Sequence, residues 1–363
     1  MATFAFTGGG TGGHIYPGLA VIERLKARLE GGRIIWIGSN TGMDRAIAQG
    51  AGLEFFGIPA GKLRRYFSLR TIPDTFRVAA GFFAARSILY NQKVDFLFSK
   101  GGFVSVPPCA AAASLGIPVF THESDVTPGL ATRINLRFVR RTGGTAFVSY
   151  PDTARLAPGA LVSGNPVRPE FRAADPERGR SFLGIGPQRR ILLVLGGSQG
   201  AREVNELVRA SLGELLSRYA VVHQYGPGQQ WDPPAAEGYI PLPYINEEMP
   251  HVLAAAELVA GRSGAGTVWE CAVAGKPMIL IPLRGSGTRG DQLENARYFE
   301  REGAALVPDG NGWEGFAALV CAIADDPSRR EAMAEAARRI GSLDGAAIIV
   351  DSIMGILDGR SRR

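Results

Sequence analysis

His14 closes a run of small residues, Thr7-Gly8-Gly9-Gly10-Thr11-Gly12-Gly13-His14, between an apolar stretch (Ala2 to Phe6) and a helical pattern (Leu19 to Leu29). A strand, a glycine corner and a helix start form a device for holding phosphate. Small residues let a ligand approach the backbone, and the helix start offers unpaired N–H groups and partial positive charge. A neutral imidazole at such a corner can take a proton from an attacking hydroxyl. The plainer alternative is a histidine held for structure. Gly8, Gly10 and Gly13 also fit the dinucleotide pattern G-x-G-x-x-G, a weak signal alone. The second strand ends Ile37-Gly38-Ser39-Asn40 with no carboxylate for a ribose, which argues against a nicotinamide cofactor. No G-x-x-x-x-G-K-[ST] run is present to suggest a P-loop.

Further corners follow. Ile191 to Leu195 runs into Gly196-Gly197-Ser198-Gln199-Gly200-Ala201-Arg202. Arg262-Ser263-Gly264-Ala265-Gly266-Thr267-Val268-Trp269-Glu270 places small and hydroxyl residues at a helix start, suited to diphosphate, with Glu270 about one turn on and able to accept both ribose hydroxyls. A carboxylate stabilising the helix dipole with no ligand is the alternative. Arg289-Gly290-Asp291-Gln292-Leu293-Glu294-Asn295-Ala296 offers amide and carboxylate groups to sugar hydroxyls. Thr121-His122-Glu123-Ser124-Asp125 follows a strand, where its carboxylates can bind a sugar or cap the next helix. Gly101-Gly102-Phe103-Val104-Ser105-Val106-Pro107 is either another ligand corner or a plain tight turn.

The elements that must position these residues alternate. Strand-like runs at Ile34-Ile37, Phe96-Phe98, Pro118-Thr121, Ile191-Leu195, Ala220-His223, Leu258-Ala260, Met278-Ile281 and Ala304-Val307 are separated by helical patterns such as Val204-Ser217 and Thr267-Ala274. This predicts βαβ units with parallel sheets covered on both faces, an α/β fold. The chain of 363 residues suffices for two domains. The turn-rich Gly164-Asn165-Pro166 predicts a boundary between residues 1–163 and 164–340, with a helical tail 341–363 returning to the first domain.

Gly 48 is high for the length and is concentrated in corners after strands. No stretch reads as the ~18 to 20 apolar residues of a membrane span. The first strand begins at once, leaving no room for a secretion signal. Cys109, Cys271 and Cys321 are odd in number and far apart, which suits a reducing cytoplasm better than a disulfide framework or a zinc site. The net charge is +6, with basic clusters at Lys62, Arg64, Arg65, Arg70 and at Arg133, Arg137, Arg140, Arg141. Without a nucleic-acid motif, these are either a solvated surface or a site for anionic lipid. Phe76, Phe82 and Phe83 follow the first cluster, with positions 76 and 83 on one helical face.

In six motifs taken in order, Gly9-Gly10-Thr11-Gly12-Gly13-His14, Gly101 to Pro107, His122 to Asp125, Gly164 to Arg168, Gly196 to Ala201 and Arg262 to Thr267, the chain resembles the MurG family of GT-B glycosyltransferases. The resemblance covers nearly the whole chain. It implies two Rossmann-like domains facing across a cleft. It also implies inverting transfer of N-acetylglucosamine from UDP-GlcNAc to the C4 hydroxyl of undecaprenyl-pyrophosphoryl-MurNAc-pentapeptide (lipid I). Carried onto this sequence, it assigns the base to His14 and the phosphate and sugar side to Thr11, Gly12 and Gly13. Nucleotide and diphosphate contacts fall to Arg168, Ser198 and Ala265, Gly266, Thr267 and Val268. Ile245 would meet uracil through its backbone, Glu270 the ribose, and Gln292 the GlcNAc hydroxyls, with Asp125 also on the donor side.

Asp125 and Asp291 stand where many members have Asn and Gln. An ionised Asp only accepts hydrogen bonds, whereas Asn also donates. No Asp-x-Asp pair lies beside the phosphate corners, so catalysis with neither metal nor cofactor is expected. The implied setting is peripheral, on the cytoplasmic face of the plasma (inner) membrane, with an anionic lipid surface and cell-wall synthesis proteins as further partners. The rival readings are a related transferase with another acceptor and a non-catalytic UDP-sugar-binding protein.

Overall fold

A computed structural model describes residues 2–9, 13, 15–29, 31–41, 44–61, 71–284, 290–308 and 315–361. The chain divides into two compact units, Met1–Arg168 with Asp344–Arg363, and Pro169–Leu343. Both are α/β, as the alternation predicts.

In the first unit the strands are β1 (Thr3–Thr7), β2 (Arg33–Ser39), β3 (Glu54–Ile58), β4 (Phe96–Ser99), β5 (Val119–Glu123), β6 (Ala146–Val148) and β7 (Leu161–Val162). Between them run α1 (Tyr16–Arg28), α2 (Asp44–Gly50), α3 (Thr71–Asn91), α4 (Val106–Ser114), α5 (Leu130–Thr142) and α6 (Pro151–Leu156). The strands form one parallel sheet ordered β3-β2-β1-β4-β5-β6-β7. Its central strands are buried along their length because helices cover both faces. Phe4, Phe6, Phe96, Phe98, Phe120 and Phe147 fill one side, each contributing roughly 1.5–3 kcal/mol by burial.

The second unit contains α7 (Pro176–Leu183), β8 (Ile191–Leu195), α8 (Arg202–Leu216), β9 (Ala220–Gln224), β10 (Tyr239–Leu242), α9 (Met249–Ala255) and β11 (Leu258–Gly261). It continues through α10 (Ala265–Val273), β12 (Met278–Leu280), α11 (Asp291–Arg301), β13 (Ala305–Leu306), α12 (Phe316–Asp325) and α13 (Pro327–Ile340). Its parallel sheet is ordered β10-β9-β8-β11-β12-β13. Helix α8 shows why such a segment folds as it does: Val204, Leu207, Val208, Leu212 and Leu215 recur at helical spacing and bury one face on the sheet.

A final helix, α14 (Gly345–Ser361), belongs to the first unit. Ala346, Ile349, Val350 and Ile353 are buried in the same core as α1, and Arg24 and Arg28 pair with Asp344 and Asp351. This corrects the expectation that no run is long and apolar enough for a bilayer, since Pro327–Gly359 passes that test by length and composition. The run is two helices broken at Gly341–Asp344, and Met333, Ile340, Ile349, Val350 and Ile353 within it are buried.

The division between units falls after Arg168, beyond the expected turn at Gly164-Asn165-Pro166. The turn is knitted to the first unit. His122 Nε2 meets the Gly164 carbonyl at 3.0 Å, and Ser124 Oγ donates to Asn165 Oδ1 at 2.6 Å.

Candidate active site

In an open parallel sheet, ligands collect beyond the carboxyl ends of the strands where the strand order reverses. That point lies between β1 and β4 in the first sheet and between β8 and β11 in the second. The corner after each of these strands is one of those singled out by composition.

In the first unit, β1 is buried throughout and α1 starts at Tyr16 with Pro17 in its first turn. Thr11, Gly12 and His14, which lie between them in sequence, fall outside the described residues, as does the basic cluster Lys62, Arg64, Arg65 and Arg70. Gly13 is described and exposed. Gly102 has φ +77, and a Cβ there would lie 2.5 Å from the Gly9 carbonyl oxygen, so the two corners approach this closely only because residue 102 lacks a side chain.

The turn after β5 is built on the Glu123 carboxylate. Oε1 accepts from the Ser124 and Asp125 N–H groups at 2.9 and 3.1 Å. Oε2 accepts from Gly129 N–H at 3.0 Å and Thr132 Oγ at 2.6 Å. Glu123 is therefore bound up in the turn that leads into α5, and Asp125 within that turn is half-buried. Burial, then the charge of Asp125, push the Glu123 carboxyl above its ordinary value. Burial, followed by the charge of Lys100, holds the His122 imidazole well below its own, so it is neutral.

Lys100, directly after β4, is 2% exposed, and its Nζ donates to Ser124 Oγ at 2.5 Å. Sequence reasoning passed over this residue. The available signal was a lysine fixed between an apolar strand and the Gly101-Gly102 corner. Arg168 ends the first unit, half-buried, with its guanidinium 5.8 Å from the Tyr16 ring centre. It thus belongs with the first unit, not with the second as its expected boundary implied.

In the second unit, backbone dominates. Gly197 and Gly200 have φ +88 and +73, and a Cβ on Gly200 would meet the Tyr225 carbonyl oxygen at 2.1 Å. Ser198 is exposed at the tip of this corner. Helix α10 begins at Ala265 with Gly264 as N-cap and no side-chain cap bond, and its first turn carries no acidic residue. The half-buried Ala265, Gly266 and Thr267 start this helix, followed by buried Val268. Their N–H groups form the polar end suited to a diphosphate.

Glu270, also half-buried, lies beyond the first turn, which weakens the helix-dipole alternative. Arg262 underpins the corner through Glu203 at 2.5 Å and the Ile281 carbonyl at 3.1 Å. Ser263 Oγ donates to the Gln292 carbonyl at 2.7 Å, joining α10 to the start of α11. Gln292 Oε1 accepts from Leu283 N–H at 3.0 Å, leaving its amide N–H groups as the part to face a sugar. Ile245 is buried and donates its N–H to Gln224 Oε1 at 2.8 Å, so a base would meet its carbonyl. Asp291 opens α11 beside the N-cap Gly290. Among the described residues, no group of three His, Cys, Asp or Glu is arranged to hold a metal.

Residues 4–143 match the glycosyltransferase family 28 N-terminal domain, and residues 191–347 match its C-terminal domain. The chain is 52% identical to a Treponema denticola protein over 85% of this chain and 84% of that one. That relative is named UDP-N-acetylglucosamine–N-acetylmuramyl-(pentapeptide) pyrophosphoryl-undecaprenol N-acetylglucosamine transferase. This chain belongs to glycosyltransferase family 28, in its MurG group. A Treponema pallidum relative of the same name is 47% identical over 93% of this chain and 91% of its own. The crystal structure of Acinetobacter baumannii MurG shares the fold, with a TM-score of 0.73, 24% identity, and coverage of 98% of this chain and 100% of that one. The fold is GT-B, and family 28 membership makes the protein a glycosyltransferase.

Proposed function

We infer that this enzyme transfers N-acetylglucosamine from UDP-GlcNAc to lipid I, giving lipid II for peptidoglycan synthesis. The observation that carries this reading is identity of 52% and 47%, over most of the chain, to transferases named for that reaction. The geometry is in keeping with it. The uncapped start of α10, with Glu270 beyond its first turn, suits a nucleoside diphosphate, and Asp125 stands in the turn after β5, the strand next to β4.

The acceptor C4 oxygen attacks the anomeric carbon while its proton passes to the His14 imidazole. The bond from that carbon to the diphosphate oxygen breaks, and UDP leaves with its charge offset by the α10 amides and Arg168. Thr11, Gly12 and Gly13 take the phosphate and sugar side, Ser198 the diphosphate, Ile245 the base and Gln292 the GlcNAc hydroxyls. A UDP-release assay with UDP-GlcNAc and a lipid I analogue tests the reading. Binding of UDP-GlcNAc with no turnover would replace it with that of a UDP-sugar-binding protein.

The same reading places the protein peripherally on the cytoplasmic face of the plasma membrane, near other proteins of wall synthesis. Helix α3 supports this. Phe76, Phe83 and Tyr90 recur every seventh residue and are 73%, 69% and 71% exposed, while Phe82 is half-buried against the core. Arg77 and Arg86 on α3 are exposed, as are Arg133, Arg137, Arg140 and Arg141 on α5. An aromatic stripe with cations about it suits an anionic bilayer.

A further inference from the structure

Lys100 is the cation least expected where it stands. Its backbone N–H donates to the Thr7 carbonyl at 2.8 Å, extending the β1–β4 ladder by one step. This draws the side chain in behind the glycine corners, where it is 2% exposed. Removing an ammonium from water is costly unless charges and acceptors meet it. Among the described residues, the titratable groups facing it are His122, Glu123 and Asp125, all from β5 and the turn after it. His122 is neutral, and Glu123 has both oxygens engaged in the turn. Glu123 and, after it, Asp125 supply the opposing charge.

Lys100 Nζ donates to Ser124 Oγ, and Ser124 Oγ donates to Asn165 Oδ1, itself buried. A single ammonium thus sits at the join of the Glu123–Asp125 turn and the Gly164–Arg168 segment, both assigned to the donor.

We propose that Lys100 is a positioning residue for the donor sugar: its ammonium balances Asp125 and, through Ser124, locks the Asp125 turn to the segment carrying Arg168. This rests on the reading of Asp125 as a donor ligand. Burial pushes the Lys100 ammonium down to about 8, opposed by Glu123 and Asp125. The lock therefore opens as pH rises through that value. The fold does not weaken with it. Between about 8 and the ordinary 10.5 the unfolded chain binds the extra proton, so stability rises with pH across this window. Loss of function there is separable from unfolding.

The test uses the full chain, with UDP release on a lipid I analogue and thermal melting recorded from neutral to alkaline pH. For wild type, KM for UDP-GlcNAc should climb above pH about 8 while kcat changes less and the melting temperature does not fall. Lys100→Met should raise KM at neutral pH about tenfold or more, the scale of one charge-assisted hydrogen bond, and abolish the climb. Lys100→Gln, which retains a donor for Ser124, should also lose the climb, and it serves if Lys100→Met does not fold. Asp125→Asn alone should move the climb to lower pH, because the carboxylate that helps retain the proton is gone. In the Lys100→Met background, Asp125→Asn should bring KM to within about threefold of Asp125→Asn alone, the coupling expected of two groups in one network. A climb that persists in both Lys100 variants, or strictly additive effects, would overturn the proposal. A wild type that releases no UDP overturns the functional reading and this inference with it, whereas active wild type with unchanged variant profiles overturns this inference alone.

Discussion

At the strand ends of the first unit the groups in place are buried and ionisable: Lys100 and Glu123, which meet at Ser124, and His122, bonded to the Gly164 carbonyl. At the strand ends of the second unit they are mostly backbone, with Gly197, Gly200 and the uncapped start of α10 held from behind by Arg262 and Glu203. The difference follows from the two tasks. A diphosphate carries its own charge and needs fixed N–H groups, which do not titrate. A sugar whose hydroxyls must be oriented is suited by side chains whose protonation states are set by their surroundings. The first unit should therefore be sensitive to pH and to charge, the second to shape.

The largest effect belongs to the first unit. His14→Ala should lower kcat by about 10² or more, the usual scale for a lost general base, with UDP affinity by calorimetry little changed. Near-normal turnover would remove the base assignment and pass it to Asp125. On the second unit, Gly200→Ala should cost about 2–5 kcal/mol by denaturant melts, combining a left-handed backbone with a Cβ at 2.1 Å from the Tyr225 oxygen. Gly197→Ala, with φ +88 but open space around it, should cost only about 1–2 kcal/mol. Equal costs would mean that the close approach to Tyr225 is not what demands glycine.

Glu270→Ala should weaken UDP-GlcNAc binding by about 1.5–3 kcal/mol while kcat suffers less. Unchanged affinity with a lower melting temperature would make it a structural carboxylate only. The smallest effect is at the surface. Each basic residue near an anionic bilayer contributes roughly 1 kcal/mol, so Arg64, Arg65 and Arg70→Ser together should reduce sedimentation with anionic vesicles in a salt-dependent way. Phe76, Phe83 and Tyr90→Ser should reduce it at all salt concentrations. Wild-type sedimentation by both variants would return α3 to an ordinary solvated face.

The central strands were legible because a parallel strand covered on both faces is a nearly unbroken apolar run, as in Ile191 to Leu195. Strands β3, β6, β7 and β10 were not anticipated. At the sheet edges β3 and β10 are only partly covered and contain Gly57 and Pro241, while β6 and β7 are very short. Glycine corners show in sequence because nothing else tolerates their geometry. Lys100 did not, because lysine is ordinarily a surface residue and its burial depends on partners far along the chain at Ser124. Asn165 read as a turn former, and only the fold gives it the Ser124 hydroxyl as partner.

The return of α14 to the first unit has a consequence for biosynthesis. The second unit is one unbroken segment, Pro169–Leu343, whereas the first is completed only by the chain's last stretch, Asp344–Arg363. On a ribosome adding about 5–20 residues per second, the usual order in which the N-terminal domain matures first is inverted here. The downstream unit can close while the upstream one still lacks the helix that packs on α1, leaving Ile22 and Leu25 short of their packing partners until α14 emerges. Nascent chains stalled before Asp344 should therefore carry a protease-resistant second unit and a protease-sensitive first.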